Sequence, residues 1–250
     1  MKTQDDLLSE IQYAIKECIA ENKIGIAFSG GVDSTLVSKI CKDLGFDITL
    51  LTIGFPGSHD ISFSKDVNTI LKLNHEISEI EKNSFNEIAS KINKKINTDN
   101  LSWNENSIAF YYVAKLANSL GIKTVVTANG IDELFCGYNA YRDVIEQGED
   151  KVIEMMNSKL DNEQKMMQAV NDVTLEFGVS IVQPLLSQKF IEYAKSIPIS
   201  EKITNKDDLM RKHAIRKLAT EIGVPEISAN KRKKALQYGS LIHKALLKSR

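Results

Sequence analysis

The sequence predicts an α/β fold: a parallel sheet with helices on both faces, followed by a helical C-terminal half. Short apolar runs alternate with stretches of helical apolar spacing as far as about Tyr141, as they do when parallel strands are buried on both faces. Beyond Tyr141 the runs largely stop while the helical spacing continues. In addition, a glycine pair stands at the first strand-to-helix junction. That junction is the carboxyl end of a strand, where open α/β sheets bind their ligands.

The elements follow in order. Leu7, Leu8, Ile11, Ile15 and Ile19 give an amphipathic helix over Asp5–Ala20. Ile24–Phe28 is an apolar run of strand length, and Leu36–Cys41 resumes helical spacing up to Gly45. Ile48–Ile53 reads as a second strand, Ser62–Leu73 as a helix and His75–Ile80 as a third strand. Helices are expected over Asn83–Ile96 and Ser107–Leu120, with a strand at Thr124–Thr127. Further on, Lys151–Met156, Glu163–Phe177, Gln188–Ser196 and Asp207–Ile222 read as helices, punctuated by Pro184, Pro198 and Pro225. The expected division is an α/β region at 1–145 and a helical region at 146–250. The methionine pairs at 155–156 and 166–167 are expected in helix cores, where Met fills gaps.

Composition excludes several classes. Of 250 residues, 42% are apolar and 26% charged, which is ordinary globular usage. Lys and Arg total 32 against 33 Asp and Glu, so there is no cationic excess of the kind a nucleic-acid or membrane binder carries. Cys18, Cys41 and Cys136 are odd in number and lack CxxC spacing, so they are expected as reduced thiols, with no four-cysteine zinc site. There is no membrane-length apolar stretch and no apolar run near Met1 of signal-peptide type, so the expected location is the cytoplasm.

The chemistry concentrates in two loops. Ser29-Gly30-Gly31-Val32-Asp33-Ser34 lies between the first strand and its helix. Glycines allow close backbone approach to an anion, a helix N-terminus aims N–H groups at it, and serines add hydroxyls. A carboxylate beside phosphate is repulsive unless a cation intervenes, and Mg²⁺ at Asp33 resolves the conflict. The GK[ST] ending of a Walker loop is absent. The second loop, Thr127-Ala128-Asn129-Gly130-Ile131-Asp132-Glu133-Leu134-Phe135-Cys136-Gly137-Tyr138, also follows a buried strand. Two such strand ends side by side would enclose one site, with Asp132 facing Asp33.

The first loop resembles the SGGxDS pyrophosphate loop of the N-type ATP pyrophosphatases (PP-loop enzymes), which cleave ATP between the α and β phosphates. The second resembles the S-G-E-G-x-D-E-x-F-G-G-Y signature of the asparagine synthetase domain, shared with β-lactam synthetase. Ile53-Gly54-Phe55 with Gly57 and Asp60 resembles the family's adenine-side strand and turn. Gln183-Pro184-Leu185-Leu186 resembles its V-P-F-L segment, and Lys231–Gly239 its lysine-bearing C-terminal loop.

The resemblance implies an adenine nucleotide α-hydrolase-like fold and an AMP-forming C–N ligase using ATP and Mg²⁺. It implies that Ser29, Gly30, Gly31, Asp33 and Ser34 hold pyrophosphate and that Ala27, Ile53, Thr127 and Ala128 line the nucleoside. Asp33 and Asp132 would bind Mg²⁺, and Lys233 would be the catalytic lysine, with Lys234 one position away. The implied partners are a carboxylate, aspartate by default, and ammonia or an amine.

The departures are local. Asn129 stands where the family has the glutamate near the acceptor and attacking amine, Ser187 replaces an aspartate, and no arginine stands in the stretch before Pro184. The chain opens Met1-Lys2-Thr3 without the cysteine nucleophile of a glutaminase domain. The expectation is therefore free ammonia or an amine, or a separate glutaminase subunit. Two other readings stay open: a nucleotide-binding regulatory subunit without acceptor chemistry, and a PP-loop tRNA-modifying enzyme. His75, Cys136 and Trp103 are each read as packing residues.

Overall fold

The computed structural model describes residues 4–232 and 234–248. Helix α1 (Gln4–Cys18) leads into β1 (Lys23–Ala27), α2 (Val32–Asp43), β2 (Asp47–Gly54), α3 (His59–Leu71) and β3 (Asn74–Glu79). Helices α4 (Lys82–Ile96) and α5 (Leu101–Ser119) precede β4 (Thr124–Val126) and the short helices α6 (Ile131–Leu134) and α7 (Ala140–Val144). The remainder is α8 (Glu149–Thr174), β5 (Ser180–Val182), α9 (Gln188–Lys195), α10 (His213–Glu221), α11 (Glu226–Ala229), α12 (Leu236–Gly239) and α13 (Ile242–Lys248).

The five strands are all parallel, in the order β3-β2-β1-β4-β5. Period-two alternation divides the core between the two faces. Ile24, Ile26, Ile48, Leu50 and Val126 point into one cluster with α1, α2, α9 and α10. Leu51, Ile53 and Val125 point into the other, with α4, α5 and α8. Because both faces are covered, the central strands read as unbroken apolar runs, whereas edge strand β3 is mostly half-exposed or exposed.

Three expectations change. β5 joins the sheet from the stretch read as helical; at three residues between Gly178 and Pro184 it is too short to show a period. The two helices expected after Lys151 are one, α8, whose 26 residues run straight through the polar Asp161-Asn162. The helix expected over Asp207–Ile222 begins only at His213. Its first turn is lost because the Asp208 carboxylate accepts the amides of Met210 and Arg211, the competing turn that short acidic side chains favour.

The packing expectations hold in their particulars. Met156, Met166 and Met167 are buried in the core. Nε2 of His75 lies 2.8 Å from the Thr52 hydroxyl, and burial lowers its pKa to about 4, so the ring is neutral near pH 7. Burial pushes the Cys136 thiol up to about 12, against the pull of Lys202 and Arg211, so it is no nucleophile. Trp103 packs at the margin of the second cluster and donates its indole N–H to Asn162 at 3.0 Å. No helix among the described residues is long and apolar enough to cross a membrane.

Candidate active site

The sheet order brings the carboxyl ends of β1 and β4 side by side, with the chain leaving β1 toward β2 on the opposite side. This is the crevice at which open α/β sheets bind ligands. A cavity of about 440 Å³ opens there, and it takes in both glycine loops, the end of β2, one face of α8 and residues 231–232 and 234–237. That volume suits a nucleotide-sized ligand.

The first loop is tied by its own serines. The Ser34 hydroxyl donates to the Gly31 carbonyl (3.2 Å) and accepts the Ser29 amide (3.3 Å), while the Gly31 amide donates to the Ser29 hydroxyl (3.4 Å). Gly30 has φ +77 and lies so close to Phe63 and Ser64 of α3 that a Cβ would crowd them. Its carbonyl accepts the Ser228 hydroxyl at 2.7 Å, and that hydroxyl also pairs with Thr35 at 2.9 Å. Residues from opposite ends of the chain thus finish this loop.

Asp33 in the first turn of α2 and Asp132 in the first turn of α6 face each other across the crevice. Between them lies the ammonium of Lys212, 2.5 Å from a carboxylate oxygen of each. Lys212 is 1% exposed. Burial alone would favour the neutral amine, but Asp132 and Asp33 outweigh it and hold the pKa above its usual value.

In the same cavity Lys159, Asn162, Glu163 and Met166 line one face of α8, at helical spacing. The Asn129 amide donates to Glu163 Oε1 at 2.5 Å. Tyr138 donates its hydroxyl to Glu133, whose other oxygen accepts the Gly130 amide at 3.1 Å, so the second loop is braced from within. Lys159 Nζ sits 5.4 Å from the Tyr138 ring centroid.

Two strand-end loops of these sequences at a single crevice already narrow the choice of family. The family model for asparagine synthase matches residues 6–178 and 145–249 of this chain. The chain belongs to the asparagine synthase family. It is 29% identical over 254 residues to a putative glutamine-hydrolyzing asparagine synthetase of Methanocaldococcus jannaschii, covering 88% of this chain and 46% of that protein. It is 24% identical over 240 residues to a probable glutamine-hydrolyzing asparagine synthetase of Dictyostelium discoideum, covering 87% and 43%. The chain therefore spans less than half the length of either relative. Its fold is also that of an NMN synthetase from Francisella tularensis, with a TM-score of 0.50 at 14% identity, covering 94% of this chain and 75% of that one.

Within this asparagine synthase-family chain, Ala27, Ser29, Gly31, Asp33, Ser34, Ile53, Thr127, Ala128, Asn129 and Asp132 all line the one cavity. Gly30 instead turns its carbonyl to Ser228 and contributes shape. Lys233 lies outside the described residues. Its neighbours Lys231, Arg232 and Lys234 line the cavity.

Among the site residues without a sequence signal, two stand out. Lys212 lay in a stretch read as helix, and Glu163 looked like one of many polar positions on a helix face.

Asp60, which lines the same cavity, is 2% exposed and has the Gly239 backbone against its carboxylate. Burial raises its pKa from 3.8 to about 7, partly offset by Lys234. A folded pKa above the unfolded one means that the neutral carboxyl's contribution is complete below pH 3.8 and is lost as pH rises through about 7. Asp60→Asn is therefore expected to melt higher than the parent at pH 8 and to lose most of that margin toward pH 4. The margin corresponds to roughly 4 kcal/mol at about 1.4 kcal/mol per unit. Circular-dichroism melts across that range test it, and an advantage independent of pH would refute it.

Proposed function

We propose that this chain is an ATP-dependent amide-forming ligase of the asparagine synthetase type. The observation that carries the reading is the single cavity uniting both glycine loops, with Asp33 and Asp132 converging on one cationic position.

ATP would lie with its adenosine against Ala27, Ile53, Thr127 and Ala128. Its β and γ phosphates would rest on the Ser29–Ser34 loop and the N-terminus of α2, where amide N–H groups favour anions. Asp33 and Asp132 suit Mg²⁺, which takes one or two carboxylates and completes its shell with phosphate oxygens and water. No group of three or more His, Cys, Asp or Glu that could hold a metal occurs among the described residues, so such a metal would depend on those phosphates. When bound, it would neutralise charge on the departing pyrophosphate.

A substrate carboxylate oxygen attacks the α-phosphorus and the α–β bond breaks, releasing pyrophosphate. Ammonia or an amine then attacks the acyl carbon, AMP leaves, and the nitrogen loses a proton. The Glu163 carboxylate beside Asn129 supports a complete acceptor end, and so favours an enzyme over a chemically silent nucleotide-binding subunit. Aspartate is the first acceptor to try, and a separate glutaminase subunit would be one source of ammonia.

Incubation with ATP, Mg²⁺, a panel of carboxylates led by aspartate, and either ammonium or glutamine tests the reading. AMP and pyrophosphate in equal amounts, with amide product from ammonium, are expected. ADP and orthophosphate, or no pyrophosphate with any acid, would overturn it.

A further inference from the structure

Lys212 is held in place by more than its two ion pairs. Arg211 and Lys212 have φ of +47 and +55, a left-handed conformation that non-glycine residues keep only where their surroundings enforce it. The enforcement is visible. Asp208 accepts the Arg211 amide at 2.8 Å, the Arg211 guanidinium donates to the Gly137 carbonyl at 3.1 Å, and Arg216 Nε donates to the Met210 and Arg211 carbonyls, each at 3.0 Å. Gly137 lacks the Cβ that would run into both Asp132 and the Lys212 side chain. Three segments distant in sequence therefore cooperate to drive one ammonium between two carboxylates.

From this we infer that Lys212 is an internal stand-in for the divalent cation. In the nucleotide-free protein its ammonium occupies the position between Asp33 and Asp132, and it has to withdraw before a metal can bridge them. The inference rests on the proposed metal role of these two aspartates. The Arg211 and Arg216 guanidiniums, close enough to feel these carboxylates, add to the positive charge that a dication meets. A metal arriving alone must also expel a buried, doubly paired ammonium, which opposes loading strongly. Nucleotide changes the balance, because its phosphates supply ligands to the metal and a new counter-charge for the lysine, whose four-carbon stem is flexible enough to turn. Metal and nucleotide should thus enter together, with the empty protein indifferent to Mg²⁺.

The test uses nucleotide-free full chain and does not depend on turnover, so its outcome is separable from that of the ligase assay. Parent, Lys212→Met and Lys212→Gln are melted in EDTA and in Mg²⁺, and their Mn²⁺ binding is followed by electron paramagnetic resonance. The parent should melt at the same temperature in both buffers. The variants should melt lower by about 4 °C or more in EDTA, because two facing carboxylates lose their shared partner. Mg²⁺ should restore at least half of that loss, and Mn²⁺ should bind the variants about tenfold or more tightly than the parent, as linkage requires. A merely structural lysine would cost stability that no cation returns. If both variants fail to fold in EDTA, recovery of soluble protein on refolding with Mg²⁺ supports the inference. Failure to recover overturns it, as would folded variants insensitive to Mg²⁺ or a parent that binds Mn²⁺ equally well without nucleotide.

Discussion

The Lys233→Ala/Lys234→Ala double variant should release pyrophosphate at least about 10²-fold more slowly than the parent, with ATP affinity changed by less than about tenfold. Negative charge builds on the pyrophosphate oxygens only as the α–β bond breaks. A cation aimed there acts mainly on the transition state and little on ground-state binding. Lys234 lines the cavity, and its charge is felt by both Asp60 and His59. Lys233 is the position that the family resemblance favours, and replacing both removes the ambiguity of register. Pyrophosphate release under saturating ATP measures the first quantity, and equilibrium binding of ATP the second. Equal turnover in the two proteins would reduce the run 231–234 to a solvated face.

Gly137→Ala should be strongly destabilising. The new Cβ would stand inside contact distance of the Asp132 carboxylate and of Cε of Lys212. Lys212 is buried and paired on both sides, and the Gly137 carbonyl is held by Arg211, so neither neighbour can retreat without giving up an ion pair. Overpacking costs about 1–3 kcal/mol and disrupting a buried ion pair about 3–5. A loss of roughly 2–4 kcal/mol is expected, seen as a melting point lower by about 5–10 °C for a chain of this size. An unchanged melting point would mean that the salt-bridged trio is loosely held.

The legible parts of the molecule were those written in local pattern. β1, β2 and β4 showed as unbroken apolar runs because helices cover both faces, and the two glycine loops showed because each joins strand to helix in consecutive residues. Asp33 and Asp132 could be paired on paper, since neighbouring parallel strands align their carboxyl ends. What stayed hidden is made by approach in space. Lys212 reaches Asp33 across 179 residues, and nothing near it in the chain marks it out, while Asp208 quietly removes the helical turn in which it was placed. Asn129 read by itself suggests a missing carboxylate. In the fold the Glu163 carboxylate stands directly against it, delivered by a helix 34 residues further on, so Asn129→Glu alone would set two acids face to face.

The bond between Ser228 and Gly30 has a consequence for the order of events during synthesis. The first glycine loop is translated well before its partner, for its backbone is pinned by a hydroxyl encoded almost two hundred residues later. A growing polypeptide still on the ribosome, with Ser228 not yet emerged, carries the glycine motif but not its finished shape.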